Sequence, residues 1–353
     1  MLMWLYSQLL FRWEQQGGDI FRDWRGIVIL LYHDVCPMDR WSFRLSPRMS
    51  VTPNNFRQQI EWMQCYFEFI DLDTAIERIT RGEAFDCRAV VVSSDDGWLG
   101  FHKNGVRFLC DLHIPSVVYV ASCVLDHPVP WYVRWHSLLT QAIACRSWLA
   151  VRLGLPPHTS ADKLLLTMTG YDLGFVESLW DEAQQYFGKD AVALPETIDE
   201  GYVQPGHLRE ALPLLTVGAH TVHHVRLPQL SEERVRDELV GAKRRLEEIT
   251  GSPVIHFAYP YGDYSDVIVQ AVSEVGYRSA ATTCFGWNTT NSQEFFRLRR
   301  TIVNEWGTTD YLGRFSDSML WCTLTGRWER FKRVLKRSAC KLLCTPGLGR
   351  YYK

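Results

Sequence analysis

Ile27–Tyr32 is an unbroken run of β-branched and apolar residues. Runs of this length belong to strands buried on both faces. Ala89–Val92, Pro115–Val120, Leu214–Ala219, Val254–Ala258 and Ser279–Thr283 repeat the pattern. Between them the apolar period changes. Phe56, Ile60, Met63 and Phe67 predict a helix over Pro53–Phe67, with Thr52 as its N-cap and Pro53 in its first position. Further helices are predicted after Gly97 to about Leu112, over Ser231–Thr250 with Gly251 closing it, and over Asp266–Val275. Strand and helix alternating at short spacing indicate an α/β fold with parallel strands and crossover helices. From about Asp126 to Gln204 the rhythm is interrupted. Trp131–Ala150 and Ala161–Phe187 read as two helices separated by Pro156-Pro157, a helical insertion over the sheet. Residues 1–25 read as a short leading helix or arm.

The bulk numbers narrow this little. A chain of 353 residues holds one large domain or two smaller ones, and no internal repeat points to a solenoid or propeller. The 14 Trp fit sugar stacking, an aromatic core or a membrane-interface belt equally well. None of the ten Cys forms a CxxC pair, which argues against a zinc ribbon or thioredoxin-like motif and for a reduced protein. Met1–Phe11 lacks a basic start and a small-residue cleavage site, and no apolar run approaches the ~18 residues of a membrane span. A cytoplasmic protein is expected.

Charge changes the picture at one end. The net −2 conceals ten Lys/Arg against three Asp/Glu from Asp310 onward, and a surplus of acid before it. Within Arg327–Cys344, Trp328, Phe331, Leu335 and Leu342 share one helical face and basic residues fill most of the rest. This tail helix would lie peripherally on the inner face of an anionic membrane, or dock on the acidic body. No nucleic-acid motif accompanies it. The expected domains are an arm over 1–25, a catalytic domain over 26–310 and the basic tail over 311–353.

Three segments at strand ends carry candidate chemistry. In Ser93-Ser94-Asp95-Asp96-Gly97, adjacent carboxylates point different ways, so one can bind a metal while its neighbour takes a proton. A solvated turn is the plain alternative. In His220-Thr221-Val222-His223-His224, one helical turn would set His220 and His224 on the same face. Two His and a carboxylate form a common facial metal set, and His223 is the poorer candidate. Tyr259-Pro260-Tyr261-Gly262 can present a backbone N–H to an oxyanion, or be an ordinary turn.

In this order the three segments resemble the polysaccharide deacetylases, the NodB-homology group of carbohydrate esterase family 4. The likeness runs from about Ile27 to Val303, and the exopolysaccharide poly-N-acetylglucosamine branch is the nearest. It implies a distorted (β/α) barrel, here with the helical insertion. It implies one divalent metal, commonly zinc, on Asp96, His220 and His224. Asp95 would be the general base, and the Tyr261 N–H would help hold the oxyanion. Trp98, Tyr259 and Pro260 would face the substrate. The implied reaction is metal-dependent removal of an N-acetyl group from an amino sugar in a glycan or glycolipid, within cell-surface polysaccharide biosynthesis.

Three departures stand out. Ser93-Ser94 replaces the usual Thr-Phe. Phe257 stands where an arginine commonly orients the base. No His follows His256, so the general acid must come from elsewhere. Leu31-Tyr32-His33-Asp34 fits the family's Leu-x-His motif and makes His33 the expected acid, as in the poly-N-acetylglucosamine branch, which looks circularly permuted. The same site chemistry serves other acyl substrates, such as peptidoglycan, an O-acetyl ester or a cyclic amide. A degenerate protein that binds sugar without turnover is the non-enzymatic alternative.

Overall fold

A computed structural model describes residues 2–22, 24–38, 49–83, 88–125, 129–188, 201–210, 214–289 and 294–328. The chain divides into two compact units. One is Arg25–Glu305; the other joins Met1–Trp24 to Trp306–Lys353. Beyond Trp328, the expected tail helix lies outside the described residues.

The larger unit is built on seven parallel strands: β1 (Gly26–Tyr32), β2 (Arg88–Ser94), β3 (Ser116–Val120), β4 (Leu215–Ala219), β5 (His256–Ala258), β6 (Ser279–Ala281) and β7 (Arg300–Ile302). Their order is β7-β1-β2-β3-β4-β5-β6. A parallel bridge from Ala281 to Leu298, just before β7, leaves the ring nearly closed. All of β1 and all of β3 are buried. That explains their unalternating apolar sequences, since such strands meet side chains on both faces. Ile27, Ile29, Val91 and Val117 pack with Leu72, Ala75, Ile76 and Ile79 of the helix Leu72–Thr80.

One glycine is dictated by packing. A Cβ on Gly218 of β4 would stand 2.4 Å from Cδ1 of Tyr119 on β3. Its absence lets the buried Tyr119 ring lie against the barrel wall, where the Arg300 guanidinium carbon sits 5.6 Å from the ring centre.

Of the helices flanking the barrel, α2 (Pro53–Gln64) starts as its sequence predicts, with the Thr52 side chain accepting from the Asn55 N–H. The insertion departs from the sequence expectation. Trp131–Ala150 is two helices, α3 (Trp131–Gln141) and α4 (Ile143–Arg152), broken where Ala142 turns extended at φ −115°. Ala161–Phe187 is likewise α5 (Ala161–Met168) and α6 (Leu173–Phe187), the second restarted by Asp172, whose side chain accepts from the Gly174 N–H. A further helix, α7 (Glu232–Thr250), has Ser231 as N-cap and ends on left-handed Gly251.

In the smaller unit, α1 (Leu2–Gln16) packs on α8 (Asp317–Leu324). Ser7 Oγ lies 2.8 Å from Ser318 Oγ, and Phe11 meets Trp321 edge-on at 5.5 Å. The seven described cysteines are all free. Among the described residues no helix is long and apolar enough to cross a membrane.

Candidate metal centre

Parallel strands deliver their C-terminal ends to one rim of a barrel. His33 follows β1, Asp95 and Asp96 follow β2, His220 follows β4, and Tyr259–Tyr261 follow β5. Residues far apart in sequence therefore meet in one place.

Asp96, His220 and His224 are buried and offer three ligand atoms within 4.8 Å of one another. His224 Nε2 lies 3.2 Å and His220 Nε2 3.5 Å from Asp96 Oδ1. Asp96 Oδ1 has no hydrogen-bond partner, although it is fully enclosed. Its other oxygen accepts from the Trp98 indole N–H at 3.1 Å. His220 Nδ1 stands 2.7 Å from the Ala258 carbonyl. A carbonyl only accepts, so Nδ1 carries a hydrogen, and Nε2 is the ring atom that faces Asp96. Burial would lower the His220 imidazole, but Asp95 and Asp96 outweigh it and raise it. A divalent cation at the shared point would satisfy the same negative field and the orphaned oxygen. The donor set, two imidazoles and a carboxylate, suits such an ion.

The two histidines do not converge through a helical turn as the four-residue spacing suggests. Thr221 and His224 take left-handed backbone, at φ 64° and 55°. Asp96 (φ 72°) and Tyr261 (φ 60°) do the same. Four of the five non-glycine residues with positive φ in the described chain thus belong to this site. Such conformations cost on the order of 1–3 kcal/mol each and persist only where surroundings impose them.

Glu238 of α7 is one such surrounding. Its buried carboxylate accepts from the Val222 N–H at 2.9 Å, the His223 N–H at 3.0 Å and His223 Nδ1 at 2.7 Å. This turns His223 away from the ligands and clamps the loop that carries both of them. Glu238→Ala is expected to weaken the affinity of the site for a divalent metal by about 10–100-fold. Glu238→Gln, which keeps an acceptor oxygen, should fall between. Titration of the metal-free proteins with zinc measures both.

Asp95 is held by Arg300, a residue the sequence reading did not single out. Arg300 Nη1 and Nη2 donate to the two Asp95 oxygens at 2.7 Å each, and Arg300 Nε donates to the Thr282 carbonyl. Both residues are buried. Burial would raise the Asp95 carboxyl; Arg300, together with His220 and His33, outweighs it and holds Asp95 below the usual carboxylate range. Phe257, in the place of the usual arginine, is fully buried against Tyr259 and Tyr277.

His33 is within electrostatic reach of Asp96, Asp95 and Arg300; burial lowers its imidazole despite the two carboxylates. Ser94 Oγ donates to the His33 carbonyl at 2.8 Å and Ser93 Oγ to the Leu30 carbonyl at 2.5 Å. Of the two hydroxyls that depart from the family pattern, Ser94 thus ties the carboxylate turn to His33 and Ser93 ties it to β1.

Trp98, Tyr259 and Pro260, expected to face the substrate, are buried. Trp98 supports Asp96 and stacks on Tyr202 at 4.4 Å. The Tyr259 hydroxyl is spent on the Phe296 carbonyl. Pro260 is buried in the turn. Tyr261 does line the site, its ring 4.7 Å from that of His224. On the other side of His224 stands Tyr132 of the insertion, at 4.8 Å. The Trp131 indole N–H donates to the His223 carbonyl at 3.3 Å. Beside this loop opens a cavity of about 390 Å³, lined by Cys123, Pro130, Trp131, Arg134, Leu173 and His223 among others.

Residues 196–280 match the polysaccharide deacetylase family model. No curated protein matches the sequence. Solved structures share the fold. The Streptococcus pyogenes deacetylase PplD, solved in complex with acetate, is 16% identical with a TM-score of 0.53, over 79% of this chain and 92% of that one. IcaB from Ammonifex degensii is 17% identical with a TM-score of 0.52, over 80% of this chain and 93% of its own. A polysaccharide deacetylase of Bacillus cereus is 19% identical with a TM-score of 0.52, over 84% of this chain and 69% of that one. The family match over residues 196–280 and the nearly closed (β/α) barrel thus make the chain similar to the polysaccharide deacetylases in local sequence and in fold.

Proposed function

We propose that the protein is a metal-dependent N-deacetylase acting on N-acetylglucosamine units of a glycan or glycolipid. The observation that carries this reading is the pairing of two arrangements at one rim. Asp96, His220 and His224 turn three donor atoms to one point, and Asp95, fixed by Arg300, stands 4.0 Å from His220 Nε2.

Asp96, His220 and His224 would hold a divalent ion, zinc being the natural candidate for this donor set. The ion would supply Lewis acidity to the acetamide carbonyl and acidify the attacking water. Asp95 would accept a proton from that water. Arg300 keeps it ionised and aimed, so it is ready at neutral pH. The Tyr261 N–H, set by its left-handed backbone, would donate to the carbonyl oxygen as negative charge develops there. His33, within electrostatic reach of Asp96 and Asp95, would give a proton to the leaving nitrogen. The cavity beside His223 would receive the part of the substrate next to the reacting sugar.

Protein loaded with zinc, cobalt or nickel and incubated with N-acetylglucosamine oligomers is expected to release acetate, with matching free amines. An absence of acetate from N-acetylated sugars, alongside release from O-acetyl esters or peptidoglycan, would overturn the substrate assignment and keep the hydrolase.

A further inference from the structure

We infer that the smaller unit is a docking surface for an anionic lipid bilayer, with the outer face of α1 as its apolar element. The inward face of α1 is fully used. Ser7, Phe11 and Glu14 point to α8 and the residues after it; Glu14 pairs with both Arg22 and Arg327. The opposite face carries Leu5, Leu9 and Trp13, spaced at i, i+4 and i+8 and so aligned in one stripe. Their exposures are 46%, 72% and 63%. Ordinary surface helices place polar residues there.

The same unit exposes Tyr311 and Leu312, and the Tyr311 ring lies 5.4 Å from that of Trp4 on α1. Of eighteen exposed large apolar side chains among the described residues, seven stand in this unit. It holds fewer than one in six of those residues. Concentrated apolar exposure of this kind marks an interaction surface.

Composition and charge choose the occupant. Trp, Tyr and Leu on an exposed helical face with few charges suit the boundary between headgroups and acyl chains. The sequence continuing from this unit, Arg327–Lys353, has nine Lys/Arg and one Glu. That charge complements anionic headgroups, each basic residue adding to the attraction near such a surface. A second copy of this chain, carrying the same basic sequence, would bring like charge to like.

Co-sedimentation of the full chain with vesicles tests this directly. Vesicles of equal phosphatidylcholine and phosphatidylglycerol should bind the protein, phosphatidylcholine alone should bind it far less, and high salt should release it. Leu9→Glu and Trp13→Glu sit at exposed positions and should melt like wild type, yet each should weaken vesicle binding at least about tenfold. Changing Lys332, Arg333, Lys336 and Arg337 to Gln should erase the preference for the anionic mixture. Failure to bind the mixed vesicles, or binding unmoved by both Glu variants, overturns the inference. So does a dimer in sedimentation velocity that either Glu variant dissociates, which would assign the stripe to a second copy. A preference surviving the Gln changes overturns the choice of an anionic surface.

Discussion

Arg300→Met is expected to cost about 3–5 kcal/mol of stability, because it leaves the Asp95 carboxylate buried without its partner. With Asp95 as the proposed base, acetate release should fall by at least about a hundredfold, since Asp95 loses both its orientation and the charge that keeps it ionised. Urea unfolding and acetate assays measure the two effects separately. The double variant Asp95→Leu with Arg300→Met distinguishes them further. Replacing both members of a buried pair by apolar groups of similar size is often neutral. Stability should therefore return toward wild type while activity stays lost. A single variant that unfolds at the wild-type urea concentration would show that the pair is not held as the structure places it.

Asp96→Asn should abolish tight metal binding and reduce deacetylation to background, a loss of about a thousandfold or more for several kcal/mol of transition-state stabilisation. Asn tolerates the left-handed backbone that Asp96 adopts at φ 72°. It also removes the charge that pairs with the His220 and His224 imidazoles in the metal-free protein. The metal-free variant should accordingly melt somewhat earlier than metal-free wild type at neutral pH. Equilibrium dialysis against zinc with parallel thermal melts gives both readings. Retention of one zinc per chain by the variant would remove Asp96 from the ligand set.

These two residues were unequally visible in the sequence. Asp96 sits in a strand-end motif, and the apolar runs that place its strand are buried on both faces, so pattern and structure agree. Arg300 carries no such mark. Its strand is three residues long and follows Arg297 and Arg299, so the stretch reads as charged and loop-like. Its partner Asp95 lies 205 positions away. Only closure of the ring, with β7 beside β1, makes the pair adjacent. Glu238 was hidden for a related reason. On a helix as charged as α7 an acidic residue looks solvated, and its burial depends on a loop from another strand. The convergence of His220 and His224 was legible as spacing but not as geometry, since left-handed residues rather than a helical turn produce it. The break at Asp172 had its N-cap signal, whereas Ala142 gave none.

The pairing of α1 with α8 also constrains how the protein is made. Ser7 and Ser318 stand 311 positions apart. At about 5–20 residues per second of synthesis, α1 leaves the ribosome roughly 15–60 s before α8 exists to cover it. Throughout that interval Phe11 and the Leu5, Leu9 and Trp13 stripe are open, while the intervening barrel is being made. The yield of native protein is therefore expected to depend on how well α1 is shielded during translation. Variants that slow elongation late in the chain should aggregate without changing the stability of the finished molecule.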